Sequence, residues 1–137
     1  MNNYIDYNYY ANTFKGTLIP QEKFDVNAMK ASSKIRNRIM NKDISSYETE
    51  VKNAACLVAE IIYNQELNKI HLNNVINGTE NIITSEKVGD YSRTMSGVSI
   101  TELEKLSSNE YTNKLIDQEI EETLFLTGLL YSGVEIV

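Results

Sequence analysis

The sequence has few of the residues on which disulfide frameworks, metal sites and catalytic centres depend. Its 137 residues include one cysteine, one histidine, one proline and no tryptophan. A single cysteine, Cys56, excludes an intrachain disulfide and a multi-cysteine zinc site. Because Cys56 lies in the middle of an apolar segment, we predict that it is a small buried hydrophobe. His71 has no second histidine with which to form a metal pair.

Motifs for nucleotide binding and nucleophilic catalysis are also missing. The sequence contains no Walker loop and no GxGxxG motif. It also shows no arrangement in which a general base such as histidine is paired with a nucleophilic residue or with a group that would orient it. The acidic run at Glu119, Glu121 and Glu122 is typical of a solvated helix face, since consecutive helical carboxylates point in different directions. We therefore expect no enzymatic activity, no metal and no cofactor.

No long hydrophobic run is present. The longest strongly apolar stretch, residues 54–59, is far too short to span a membrane. The opening MNNYIDYNYY lacks the positive flank and apolar core of a secretory signal. With 42% hydrophobic and 23% charged residues, the composition is that of a globular protein, and we predict one domain over residues 1–137.

Apolar residues recur at helical spacing in three long segments, at about 21–40, 47–67 and 109–127. Tyr4 and Tyr7 suggest a short helical turn before them. We predict an all-α fold, a small helical bundle of three main helices plus a short N-terminal helix. The three apolar stripes are Phe24, Ala28, Ala31, Ile35 and Ile39; Val51, Ala54, Ala55, Val58, Ile61 and Ile62; and Tyr111, Leu115, Ile116, Ile120, Leu124 and Phe125.

Two segments depart from the helical pattern. Residues 68–98 form a long, partly β-prone connection that contains Asn77-Gly78, the dipeptide of a tight turn. So long a connection is either an arm that reaches a partner or a flexible insertion. Residues 129–137 are apolar although they follow Gly128, which suits a helix C-cap. We expect this tail to pack against its own core or a neighbouring chain.

Charge is divided along the chain, although the net charge is −6. Residues 15–42 hold seven Lys or Arg and two acids, whereas residues 101–137 hold eight acids and two Lys. Both faces could be solvated, with weak pairs inside the chain. Alternatively, the basic face of one subunit docks on the acidic face of the next, which builds rings or filaments. The residues concerned are Lys23, Lys30, Lys34, Arg38, Asp117, Glu119, Glu121 and Glu122.

Three stretches carry a family resemblance. They are residues 9–20 (YYANTFKGTLIP) with Ala31-Ser32-Ser33 after them, residues 85–92 (SEKVGDYS) and residues 127–134 (TGLLYSGV). In this order they resemble the small head–tail connector proteins, also called head-completion or adaptor proteins, of tailed bacteriophages and prophages. The resemblance implies a helical bundle with a long loop between two core helices.

The resemblance also implies a structural role in the neck of the virion. Such proteins assemble in the host cytoplasm as a ring under the portal, extend the DNA channel without specific DNA binding, and join the head to stopper or tail-completion proteins. They have no catalytic activity, cofactor or membrane partner. On this basis we expect two interfaces, an arm with Val88, Gly89, Asp90 and Tyr91, and a C-terminal tail with Leu129, Leu130, Tyr131, Gly133 and Val134.

The charge pattern alone is also compatible with a different function. The chain would then be a small cytoplasmic interaction or regulatory protein. Its basic first helix would bind nucleic acid or an acidic partner, although no helix-turn-helix partner for that helix is recognisable.

Overall fold

The structure is a computed structural model that describes residues 3–76 and 100–130. The fold is all-α, a small helical bundle, as predicted, and the described ranges contain no strand. In chain order the elements are a short N-terminal helix (Tyr9–Thr13), α1 (Gln21–Arg38), α2 (Glu48–Ile76), α3 (Ile100–Leu106), α4 (Asn109–Leu124) and a 3₁₀ turn (Phe125–Thr127).

The chain divides into two compact units. Of the described residues, unit 1 comprises 3–63 and 115–130, and unit 2 comprises 64–76 and 100–114. The boundaries fall within α2 and α4, so each of these helices contributes residues to both units.

Helix α1 follows the predicted pattern closely. Pro20 takes the N-cap position in an extended conformation, where its missing N–H removes no helical hydrogen bond. The helix stops where Met40 and Asn41 adopt left-handed backbone angles, with φ of 59° and 56°. The Asn41 N–H then donates to the carbonyl of Arg36 at 2.8 Å, which satisfies one of the last free carbonyls. All five residues of the predicted apolar stripe are buried.

Helix α2 is longer than the sequence predicted. It continues to Ile76, so residues 68–76, expected to begin the arm, are helical. Asn73 and Asn74 have low helix propensity, but each costs only about 0.7 kcal/mol or less relative to alanine. No glycine or proline occurs in the helix before Gly78 to stop it. The rest of the predicted arm, residues 77–98, lies outside the described residues.

The core of unit 1 lies where α1, α2 and the second half of α4 meet. Small residues on α2 allow its neighbours to approach closely, because alanine projects only a methyl group. Large side chains from the other two helices fill the space, each contributing roughly 1.5–3 kcal/mol when fully buried. The buried residues of α2 and α4 in this core are Val51, Ala54, Ala55, Cys56, Val58, Ala59, Ile62, Tyr63, Ile116, Ile120 and Leu124.

The N-terminal segment adds an aromatic cluster to the same core. Its helix lies at Tyr9–Thr13, after the Tyr4 and Tyr7 turn that was predicted, and has the wide π-type geometry. The Phe14 N–H donates to the Tyr9 carbonyl at 2.9 Å. The ring of Tyr10 lies 5.1 Å from that of Phe24 and 5.8 Å from that of Phe14, measured between centroids.

Unit 2 contains the C-terminal part of α2, all of α3 and the start of α4. Leu103 of α3 is buried, and the Ser107 hydroxyl donates to its carbonyl at 2.8 Å. The side-chain amide of Gln65 donates to the Ser107 carbonyl at 3.0 Å and to Asn109 Oδ1 at 2.8 Å. The two hydrogen bonds of Gln65 connect the α3–α4 turn to the C-terminal part of α2.

Candidate interaction surfaces

Several predicted interface residues lie outside the described residues. They are the arm residues Val88, Gly89, Asp90 and Tyr91, and the tail residues Tyr131, Gly133 and Val134. Their assignment stays a prediction.

Leu129, predicted to dock on a partner, belongs to the core of its own chain. Gly128 adopts a left-handed conformation, with φ of 80°, and turns the chain back after the 3₁₀ turn. Leu129 is then only 5% exposed and packs in the core of unit 1. The Lys42 ammonium donates to its carbonyl at 3.0 Å. Leu129 is therefore not available to a partner, whereas the neighbouring Leu130 is only half-buried.

Two large apolar side chains stand exposed just before this turn. Phe125 is 71% exposed and Leu126 is 88% exposed. The sequence placed Phe125 on the apolar side of the last helix, but it is turned about 100° from Leu124. Leu124 completes the buried series of four-residue steps with Ile116 and Ile120. Leu126 was missed, although it lies outside the buried series of Ile116, Ile120 and Leu124.

A shallow pocket adjoins this exposed pair. It has a volume of about 280 Å³ and is lined by Arg38, Glu121, Phe125, Gly128 and Leu130. The lining combines an ion pair with apolar surface, which suits a protein side chain with a polar end.

Some of the residues predicted for subunit packing instead pair within the chain. The Arg38 guanidinium lies 3.0 Å from the Glu121 carboxylate and 3.8 Å from that of Asp117. Both carboxylate side chains are 63% exposed, so solvent screens the pairs and each is worth at most about 1 kcal/mol. This contact uses three of the eight predicted residues. Of the others, Lys23, Lys30, Lys34 and Glu122 are exposed and Glu119 is half-buried.

The outer face of α1 carries an apolar surface that the sequence analysis missed. Val26 is 53% exposed and Met29 is 54% exposed, three residues apart and beside Lys30. The signal was present in the sequence, because both residues lie outside the buried stripe that begins at Phe24 and Ala28.

Cys56 has the character predicted for it. It is fully buried on α2. Burial, and to a lesser extent the negative charge of Glu60, raises the pKa of its thiol to about 12. A thiol with so high a pKa stays protonated and is a poor nucleophile.

Within residues 3–76 and 100–130, no group of three or more His, Cys, Asp or Glu side chains is placed to hold a metal ion. None of the helices described has both the length and the apolar character needed to cross a membrane. Comparison of the chain with models of protein families, with curated proteins and with solved structures finds no match.

Proposed function

We propose that this protein is a structural head–tail connector of a tailed bacteriophage or prophage. It docks under the portal as a ring, extends the DNA channel, and joins the head to stopper or tail-completion proteins. It assembles in the bacterial cytoplasm and resides in the neck of the virion. Its task is mechanical and needs no catalytic group or cofactor.

The observation that carries this proposal is that unit 1 exposes neighbouring pairs of large apolar side chains at two separate places, besides Leu18 and Met40, which are exposed singly along the chain. One is the outer face of α1, with Val26 and Met29, and the other is Phe125 and Leu126 after α4. Covering such side chains with a partner removes apolar surface from water, which favours association. An adaptor must contact more than one neighbour, and two apolar surfaces on one compact unit suit that task.

The family resemblance and the charge pattern support the same proposal. The three matched stretches occur in the order expected for connector proteins. The exposed lysines of α1 and the exposed acids of α4 provide surfaces of opposite charge. Such surfaces favour ordered contacts between protein subunits.

The proposal is tested by purifying the tagged, full-length protein from an infected culture or an induced lysogen and identifying its partners by mass spectrometry. We expect portal, stopper or tail-completion proteins. The Phe125→Ser/Leu126→Ser variant should lose at least one of them. Leu67→Ser, which changes an exposed leucine of α2, is the matched control and should retain all of them. Recovery of host regulators or nucleic acid alone would refute the connector function.

A second function has one observation in its favour. Lys23, Lys30 and Lys34 are exposed and follow one another at steps of seven and four residues, which places them along one side of α1. A regulatory protein could use this row to bind nucleic acid or another polyanion. Its affinity would fall steeply as salt is added. A gel-shift experiment that shows no binding at low salt would exclude it.

A further inference from the structure

We infer that the outer face of α1 binds the C-terminal end of α4 from a second copy of this chain. The inference deepens the proposed function, on which it rests, by naming the two surfaces through which copies meet. Each surface combines exposed apolar side chains with charged residues beside them. On α1 the residues that follow the apolar pair are lysines, and the exposed acids Glu22 and Asp25 precede it, whereas the charges beside the apolar pair of α4 are acidic.

The first surface is a strip along α1. It contains Val26, Met29 and Lys30. Met29 is three residues after Val26 and Lys30 is four after it, and residues at these spacings lie on the same face of a helix. Both apolar members are more than half exposed. Lys34 continues the strip one turn further on and is exposed as well.

The second surface is the end of α4 with the 3₁₀ turn after it. Glu122 is exposed and lies three residues before Phe125 and four before Leu126, so these side chains are neighbours. Glu119 precedes Glu122 by one turn and accepts a hydrogen bond from the Thr123 hydroxyl at 3.1 Å, which leaves its charge in place.

The two strips match when the helices run antiparallel. Each strip is about 11 to 12 Å long at 1.5 Å per helical residue. In that orientation Val26 and Met29 lie against Leu126 and Phe125, and Lys30 lies against Glu122. Lys34 then meets Glu119 one turn away. A parallel orientation would set the lysines against the apolar pair and leave both acids without a partner on the second copy.

Charge also decides that the contact joins two different surfaces. Pairing α4 with α4 would bring glutamates together, which like-charge repulsion disfavours. An antiparallel contact of α1 with α1, centred on Val26 and Met29, would set Lys30 against Asp25 but Lys34 against the uncharged Gln21. The contact of α1 with α4 gives both lysines an acid. When the α1 surface of one copy binds the α4 surface of another, the pair still has one unused α1 surface and one unused α4 surface. Further copies can therefore add, and the series closes into a ring or continues as a filament.

Disulfide trapping between two differently tagged full-length copies tests the contact. One copy carries Met29→Cys and the other Phe125→Cys, both at exposed positions, and Cys56 is buried and does not compete. We expect a disulfide-linked dimer that contains both tags. Met29→Cys paired with Leu67→Cys is the control, because Leu67 is exposed but lies on α2. A yield no higher than that of the control overturns the inference.

A charge exchange then tests the register. Lys30→Glu in the Met29→Cys copy should lower the yield of the two-tag dimer about threefold, because it replaces a partly screened attraction to Glu122 by a repulsion. Glu122→Lys in the Phe125→Cys copy should restore it. Lys69→Glu, at an exposed lysine of α2, makes the same change in net charge and should have no effect. An equal loss with Lys69→Glu, or no recovery with Glu122→Lys, contradicts the antiparallel register.

The connector function and the contact between α1 and α4 can be refuted independently of each other. Recovery of portal protein without trapping between Met29→Cys and Phe125→Cys refutes this contact and leaves the connector function standing. Specific trapping without recovery of any portal, stopper or tail protein refutes the connector function and leaves the contact standing. Circular dichroism of each variant confirms that the helices are intact before either comparison is made.

Discussion

The Tyr10 hydroxyl donates a hydrogen bond to the Glu60 carboxylate, with 2.7 Å between the oxygens, although the two residues are fifty positions apart. The same hydroxyl oxygen accepts the backbone N–H groups of Leu18 and Ile19, each at 3.0 Å. A phenol has one donor and two acceptor positions, so its capacity is fully used. Tyr10 thereby joins the N-terminal helix, the segment that enters α1, and α2.

Removal of this hydroxyl should destabilise the protein. In Tyr10→Phe the ring still fills its site, but the N–H groups of Leu18 and Ile19 lose their acceptor and Glu60 loses its donor. We expect the free energy of unfolding to fall by about 2–3 kcal/mol, measured by urea denaturation. Tyr7→Phe is the control, because the Tyr7 ring packs against Phe24 without taking part in this network. Equal losses in the two variants would contradict the assignment.

Alkaline pH should destabilise the protein through the same residue. Burial, followed by the hydrogen bond to Glu60, raises the pKa of Tyr10 from 10.0 to about 12. Because the folded pKa exceeds the unfolded one, this contribution is fully present below pH 10 and is lost as the pH rises towards 12. The free energy of unfolding of the native protein should therefore fall more steeply across this interval than that of Tyr10→Phe. The comparison removes the contribution of Cys56, which both proteins share. Identical slopes would show that Tyr10 does not titrate as stated.

A side chain at Gly16 should not fit beside Tyr10. A Cβ built on Gly16 would overlap the Tyr10 ring, and the hydrogen bonds of that ring prevent it from moving aside. We expect Gly16→Ala to lower the free energy of unfolding by about 1–3 kcal/mol, as overpacking of a core does. Thr17→Ala, at the next and exposed position, should stay within about 0.5 kcal/mol of the native protein. A neutral Gly16→Ala would show that the ring can shift.

Leu129 should act as a core residue. Leu129→Ala removes a buried side chain and is expected to cost about 2–4 kcal/mol of unfolding free energy. Leu126→Ala is the matched control, because it makes the same change at a position that is 88% exposed. It should change stability by no more than about 0.5 kcal/mol. If the two variants were equally stable, the C-terminal segment would not be anchored in unit 1.

The helices were predictable because their signal is local. Apolar residues at steps of three and four define α1 and the second half of α4, and the structure buries the stripe of α1 in full. The end of α2 was placed nine residues too early. No glycine or proline interrupts α2, so its helical hydrogen bonds continue through Asn73 and Asn74.

The interaction surfaces were less predictable, because the burial of a side chain depends on which other segments of the folded chain pack against it. Leu129 and Leu126 are the same residue type three positions apart, yet one is in the core and the other is exposed. The left-handed turn at Gly128 makes this difference. The sequence indicated that a turn would occur there, but not which leucine it would bury.

The sequence by itself determined that this chain is all-α and where α1 and the last helix lie, because helix formation follows from hydrogen bonds and apolar spacing within a few turns. Only the tertiary structure decided that Arg38 pairs with Glu121 of its own chain, that Tyr10 reaches Glu60, and that Leu129 packs in the core of unit 1. These contacts depend on how segments distant in sequence pack together, and no local pattern records that.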